Sequence, residues 1–156
     1  MAKKIAGPAK YAGNLTPARR RLLTQRFKTV PYPNYLGMKI KTMQPGHVIL
    51  SFRVTENLKQ YQGLLHGGAM ASIADTAATF AALTIIPEEL DLITVEMKGN
   101  FLASVDKGTV TAEADVLHLG QRTSVIECSL FGRNRRLLWK GTFTCLHFPS
   151  EMNITG

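Results

Sequence analysis

Acidic residues are absent from the first third of this 156-residue chain: before Glu56 there are eleven lysines and arginines and no aspartate or glutamate. From Glu56 onward, eight lysines and arginines face eleven acids, so the net charge of +8 belongs to the leading segment. No run of about 18 apolar residues occurs, which excludes a conventional membrane-spanning helix. The early lysines are followed by no apolar stretch, which counts against a secretory signal. No serine precedes Ser51, which counts against an organelle transit peptide without eliminating it, so a cytoplasmic location is expected. Only two cysteines are present, Cys128 and Cys145. Their spacing is not that of a metal site; reduced thiols are expected, with a disulfide between paired strands as the alternative. His47, His118 and His147 are equally scattered, so no metal or other cofactor is implied. There is no phosphate-binding glycine loop and no dinucleotide fingerprint, and Ser72 lacks the Gly-x-Ser-x-Gly elbow of a serine hydrolase.

What is present fits one folded domain. The apolar fraction is 45% and the mean hydropathy is −0.01, enough to build a core. Residues 1–34 read as a basic extension, beginning with an unpatterned leader over 1–15. Thr16-Pro17 then starts a helix running to about Lys28, with Leu22, Leu23 and Phe27 as its apolar stripe. Pro31 and Pro33 end it and predict an extended linker. A solvated basic helix is the plain reading of this segment; contact with nucleic acid or an anionic membrane surface is the alternative.

Residues 35–150 carry the patterned part. A hairpin is expected from Met38–Met43 and His47–Val54 around Gln44-Pro45-Gly46. Seven alanines between Ala69 and Ala82 mark a helix from about Gly67 to Ile85, stopped by Pro87. Four strands follow, over Leu92–Leu102, the alternating Val110–Val116 stretch, Thr123–Phe131 and Leu137–Phe148. The expectation is an α+β domain: two strands, one long helix, then an antiparallel meander of four strands curled around that helix.

Chemistry concentrates between Gln60 and Thr79. His66-Gly67-Gly68 enters the alanine-rich helix, and a helix start leaves backbone N–H groups unpaired at the positive end of the dipole. Such donors can stabilise the oxyanion of a thioester under attack; a tight turn capped by the histidine is the structural alternative. Asp75 lies nine residues after His66 among Ile73, Ala74, Ala77 and Ala78, where poor solvation would make a carboxylate a better base or nucleophile. The alternative is an acid at a wet edge. Thr79, one turn on, can hydrogen-bond that acid or bond back to its own helix. The Gln60 amide could orient a carbonyl or a water.

The pattern Gln60-x-x-Gly63-x-x-His66-Gly67-Gly68, followed by Asp75 and Thr79, resembles the hotdog-fold acyl-CoA thioesterases, in particular the branches acting in phenylacetate breakdown and on hydroxybenzoyl-CoA-like or medium/long-chain acyl-CoA substrates. Thr94–Leu102, Gly120-Gln-Arg-Thr and Gly141-Thr-Phe-Thr extend the likeness over about residues 35–148. The resemblance implies a hotdog fold of about six strands around the long helix. It also implies homodimers or dimers of dimers with sites across the interface, acting on acyl-CoA in lipid metabolism.

By position, Gln60, His66 and Gly67 would come from one protomer, and Asp75 and Thr79 from its partner. The Gly67 N–H would polarise the thioester carbonyl, with Asp75 as nucleophile or general base. Thr79 would position the acid or a water, and His66 and Gln60 would orient the reacting groups. Gly68, Arg122 and Thr123 are candidates for substrate or CoA contact, as are Arg133, Arg135 and Arg136 for the CoA phosphates. Members with Asp at position 75 often carry Asn in place of Gln60, whereas Gln usually accompanies Glu. This chain mixes the two, leaving covalent attack and water attack both open. A non-catalytic acyl-CoA sensor on the same fold is the rival reading, and an acyl hydratase a weaker one. No nucleic-acid partner is expected of the hotdog region.

Overall fold

The computed structural model describes residues 15–152, so most of the expected leader, and its terminal lysines, lie outside the described residues. The chain forms α1 (Pro17–Thr29), α2 (Pro31–Tyr35), β1 (Lys39–Gln44), β2 (His47–Arg53), α3 (Gly67–Leu83), β3 (Leu90–Phe101), β4 (Thr109–Leu119), β5 (Thr123–Phe131) and β6 (Leu137–Pro149). Short 3-10 turns lie at Glu56–Leu58 and Arg133–Arg135. The six strands make one antiparallel sheet in the order β1-β2-β4-β5-β6-β3, and α3 packs on its inner face against β2 through β6. This is the α+β hotdog architecture.

The alanines explain how closely the sheet wraps. Ala74, Ala77, Ala78, Ala81 and Ala82 are fully buried, as are Val48, Leu50, Val110, Ala112, Ala114, Ile126, Cys128, Leu130, Phe143 and Cys145 from the strands. Period-two alternation in β4 and β5 sends one set of side chains to α3 and leaves the other on the outer face. The helix ends where Thr84 takes over: its hydroxyl donates to the Ala81 carbonyl at 2.5 Å and accepts from the Gly46 N–H at 2.7 Å. That bond ties the end of α3 to the β1–β2 turn, where Gly46 has φ +72°.

The expected four-strand meander is corrected. β4, β5 and β6 are consecutive neighbours, but β3 pairs with β6 at the far edge. Three inter-strand steps separate β3 from β4, about 14 Å, and the seven-residue connection 102–108 can span about 24 Å, so no tight hairpin is required. That connection is held at the head of α3, where the Leu65 N–H donates to the Val105 carbonyl at 2.7 Å and the Leu102 N–H to the Leu138 carbonyl at 2.8 Å.

The N-terminal segment also departs from expectation. Thr16 caps α1 as expected, accepting from the Arg19 N–H at 3.1 Å. Leu23 and Phe27 are buried, with Phe27 edge-on to Phe80 at 5.1 Å, but Leu22 is exposed. Nor is the helix wholly solvated: Arg19 is buried and donates to the Leu83 carbonyl at the end of α3, at 3.1 Å. Instead of an extended linker, Pro31–Tyr35 forms α2. Proline fits the first turn of a helix, and the Asn34 amide donates to the Phe27, Lys28 and Val30 carbonyls, stitching the two helices together. Cys128 and Cys145 are free and buried, out of register across β5 and β6, so the disulfide alternative falls.

Candidate active site

His66 stands at the N-cap of α3 with extended backbone (φ −65°, ψ 136°), and its Nδ1 accepts from the Gly68 N–H at 2.8 Å. The cap consumes the Gly68 donor and fixes the imidazole with any proton of a neutral ring on Nε2. The Gly67 N–H, one residue earlier, has no hydrogen-bond partner among the described residues. Gly67 also lies directly beneath the ring of Phe101: an added Cβ would sit 3.0 Å from it. Glycine therefore lets the last residue of β3 close over the free donor.

That donor opens into a cavity of about 350 Å³ lined by Gln60, Leu64, Leu65, Gly67, Met70, Phe101, Leu102, Ala103 and Ser104. Gln60 is half-buried at its edge, on a loop closed by the Gln60 N–H to the Leu64 carbonyl at 2.8 Å and turned by Gly63 at φ +79°. Its carboxamide is engaged with Gln62: Oε1 accepts from the Gln62 N–H at 2.6 Å, and Nε2 donates to the Gln62 side chain at 3.1 Å.

Asp75 faces a different cavity of about 320 Å³, lined by Ala71, Ser72, Asp75, Thr94 and Met97. It is half-buried at an open face, not enclosed by its alanine neighbours, because those neighbours turn inward to the sheet. The Thr94 hydroxyl donates to Asp75 Oδ1 at 2.6 Å, and Oδ2 has no partner among the described residues. Thr94 is the residue that sequence reading missed. Its signal was a hydroxyl at an inward position two residues after the buried Leu92.

Thr79 does not reach the carboxylate; its hydroxyl donates to the main-chain carbonyls of Asp75 and Thr76, both at 3.0 Å. Cys145 lies behind Thr94, with the hydroxyl and thiol 3.9 Å apart. Burial, aided by the nearby Asp75 charge, pushes that thiol up to about 11, which keeps it protonated and unreactive at neutral pH.

Eight residues of helix separate Gly67 from Asp75, a rise of about 12 Å. Within one chain, the donor and the acid therefore do not meet. The arginines divide as well. Arg122 is exposed in the β4–β5 turn at the end of the sheet away from Gly67, with its carbonyl accepting from the His147 N–H at 2.8 Å. Thr123 closes that turn by accepting from the Gly120 N–H at 2.8 Å. Arg133 and Arg136 are exposed at the Gly67 end without side-chain partners among the described residues. Arg135 is engaged, paired to Glu113 through both guanidinium nitrogens and lying 3.8 Å over the Phe131 ring.

A capped helix start with one free N–H, and a single oriented carboxylate further along it, coincide with what comparison with known proteins returns. Residues 62–138 match the thioesterase superfamily model. The chain is 36% identical over 104 residues to a 1,4-dihydroxy-2-naphthoyl-CoA hydrolase of Listeria monocytogenes, covering 66% of this chain and 84% of that protein. The chain belongs to the thioesterase superfamily.

Other members agree. A 1,4-dihydroxy-2-naphthoyl-CoA hydrolase of Escherichia coli is 31% identical over 70% of this chain and 81% of its own length. The crystal structure of a thioesterase family protein from Silicibacter pomeroyi superposes with a TM-score of 0.80 at 28% identity, covering 84% of this chain and 98% of that one. Membership makes the chain a hydrolase with the hotdog fold. Among the described residues, no helix is long and apolar enough to cross a membrane.

Proposed function

We propose that this thioesterase hydrolyses acyl-CoA to free acid and CoA as a homodimer, each site joining Gly67 of one protomer to Asp75 of its partner. The observation that carries this reading is the separation of two half-sites along one helix: an unpaired Gly67 N–H and an oriented Asp75 carboxylate open into separate cavities. A second copy of α3 running antiparallel would bring each half to its complement.

β3 supports the same arrangement. It is a twelve-residue edge strand whose outer side pairs with no other strand among the described residues, and Ile93, Val95, Met97 and Phe101 are exposed along it. A long apolar edge is the feature a monomer would have to blunt, and a two-fold partner would cover it.

In this site the Gly67 N–H, at the positive end of α3, receives the thioester oxygen as negative charge develops on it. Asp75, held through Oδ1 by Thr94, presents Oδ2 as general base to a water or as nucleophile to the carbonyl carbon. By either route the C–S bond breaks, the thiolate of CoA leaves and takes up a proton, and water supplies the oxygen of the acid. Arg133 and Arg136 are candidates for the CoA phosphates at the Gly67 end, where Arg53 and Lys107 are likewise exposed without side-chain partners among the described residues; Arg122 serves only if it reaches a site from the other protomer.

The decisive experiment is thiol release from a panel of acyl- and aryl-CoAs. Asp75→Asn is expected to lower kcat by about 10²–10⁴ on any substrate turned over. No thioester turnover by the unsubstituted protein, or undiminished turnover by the variant, overturns the reading. Tight acyl-CoA binding without product would instead identify a sensor.

A further inference from the structure

The basic leading segment takes no part in the proposed site, and α1 sorts its cations by flank. Arg19 and Arg26, seven residues apart on one flank, are spent on the Leu83 carbonyl and on Asp91. Arg20 is spent on the Met43 carbonyl, which lays α1 alongside the edge strand β1. Arg21 and Lys28 share a different flank of α1, and Lys39 and Lys41 stand on β1. All four are exposed without side-chain partners among the described residues. α2 is anchored to the body of the protein, with the Tyr32 hydroxyl 2.9 Å from Ser72 Oγ of α3.

Between α1, α2 and β1 lies a cleft of about 260 Å³, walled by Phe27, Met38 and Ile40, with Lys28 and Lys39 in its lining and no acid. Its polar residues are already engaged. The Thr24 hydroxyl donates to the Arg20 carbonyl at 2.8 Å, and the Asn34 amide donates to carbonyls at the end of α1. Apart from the lysines, then, no side-chain donor in the cleft is free to read a nucleic-acid base. A phosphodiester backbone would leave the apolar walls unused, whereas a phospholipid uses both the charge and the walls. Leu22 and Tyr35 are also exposed on these helices, and tyrosine suits a bilayer interface.

We infer that this cleft docks the enzyme on an anionic bilayer. Lys28 and Lys39 take a lipid phosphate, Arg21 and Lys41 meet neighbouring headgroups, and Phe27, Met38 and Ile40 cover the glycerol and first methylenes. The inference is independent of the Gly67 and Asp75 chemistry.

The test is co-sedimentation of the full chain with vesicles of phosphatidylcholine, alone or with phosphatidylserine as about a third of the lipid. Retention is expected only with phosphatidylserine, and is expected to fall at high salt. Lys28→Gln with Lys39→Gln is expected to weaken it roughly thirtyfold. Arg133→Gln with Arg136→Gln removes equal charge elsewhere and is expected to weaken it by no more than about threefold. Thr24→Phe fills the cleft, keeps every charge and is expected to weaken retention several-fold. Thermal unfolding reports whether each variant folds; the two lysines are exposed, so their pair stands as a test even where Thr24→Phe does not fold. Equal retention on both vesicles, none on either, an equal loss in the arginine pair, or no loss in folded Thr24→Phe overturns the inference. Binding of an oligoribonucleotide without vesicle retention would make the surface a nucleic-acid site instead. Thiol release in solution is expected to be unchanged in the lysine pair; a fall would assign those lysines to CoA and overturn the inference.

Discussion

Gly67 is singular among its neighbours because its N–H is the donor that the His66 cap leaves unspent. It sits at the first position of α3 after a residue in extended conformation, the place in a helix where proline is well tolerated. Gly67→Pro thus deletes the donor while keeping the helix, and is expected to lower kcat by about 10²–10³. Gly67→Ala is the control, since it adds the same Cβ beside Phe101 but keeps the N–H. A proline variant no slower than the alanine variant in steady-state assay would show that this N–H does not carry the oxyanion. Gly67 and Asp75 were legible in the sequence because a glycine pair at a helix start and a lone acid among alanines are local patterns. Thr94 was not, because it meets Asp75 from another element nineteen residues away. Thr79 and Gly68 both bond within the α3 region, the hydroxyl to helix carbonyls, as one of the two sequence readings had it, and the N–H to the cap.

At the scale of elements, the boundaries of β5 and the start of α3 were legible from the break at Gly120, the turn at Gly132–Arg135 and the glycine pair before the alanine run, since each signal lies within a few residues. The placement of β3 was not. Its pairing with β6 depends on which strand offers a matching face, and Trp139 shows how specific that face is. The indole is buried across Gly99 of β3 and Gly141 of β6, and a Cβ on Gly99 would lie 1.9 Å from its ring. Because the ring has nowhere to move, Gly99→Ala is expected to cost about 1–3 kcal/mol, read as a lowered urea midpoint. An unchanged midpoint would mean the indole does not lie there. The second element misread, α2, followed from taking two prolines as a break, when Pro31 at a first helical turn starts a helix instead.

At the scale of the molecule, the proposed function makes the site a property of a pair of chains. Mixing Asp75→Asn and Gly67→Pro chains by joint unfolding and refolding gives hybrids in about half of the dimers, each with one intact site and one doubly broken site. Activity is then expected to return to about a quarter of the unsubstituted enzyme's, although each variant alone is nearly inactive. No recovery, with hybrid dimers demonstrated by two affinity tags, would place donor and acid in one chain. Charging the exposed edge by Val95→Lys is expected to weaken the dimer in sedimentation and lower activity in parallel, because the same edge would border both.

The sequence by itself determined the helix, the strands and the chemical types at Gln60, His66, Gly67 and Asp75, since each depends on spacing along the chain and on capping or burial within one turn. Only the tertiary structure decided that β3 closes the far edge, that Thr94 holds the acid, that Tyr32 reaches Ser72, and that donor and carboxylate face separate cavities. Those are relations between elements distant in sequence, fixed by how a curled sheet wraps a helix of small residues, and no local pattern encodes them.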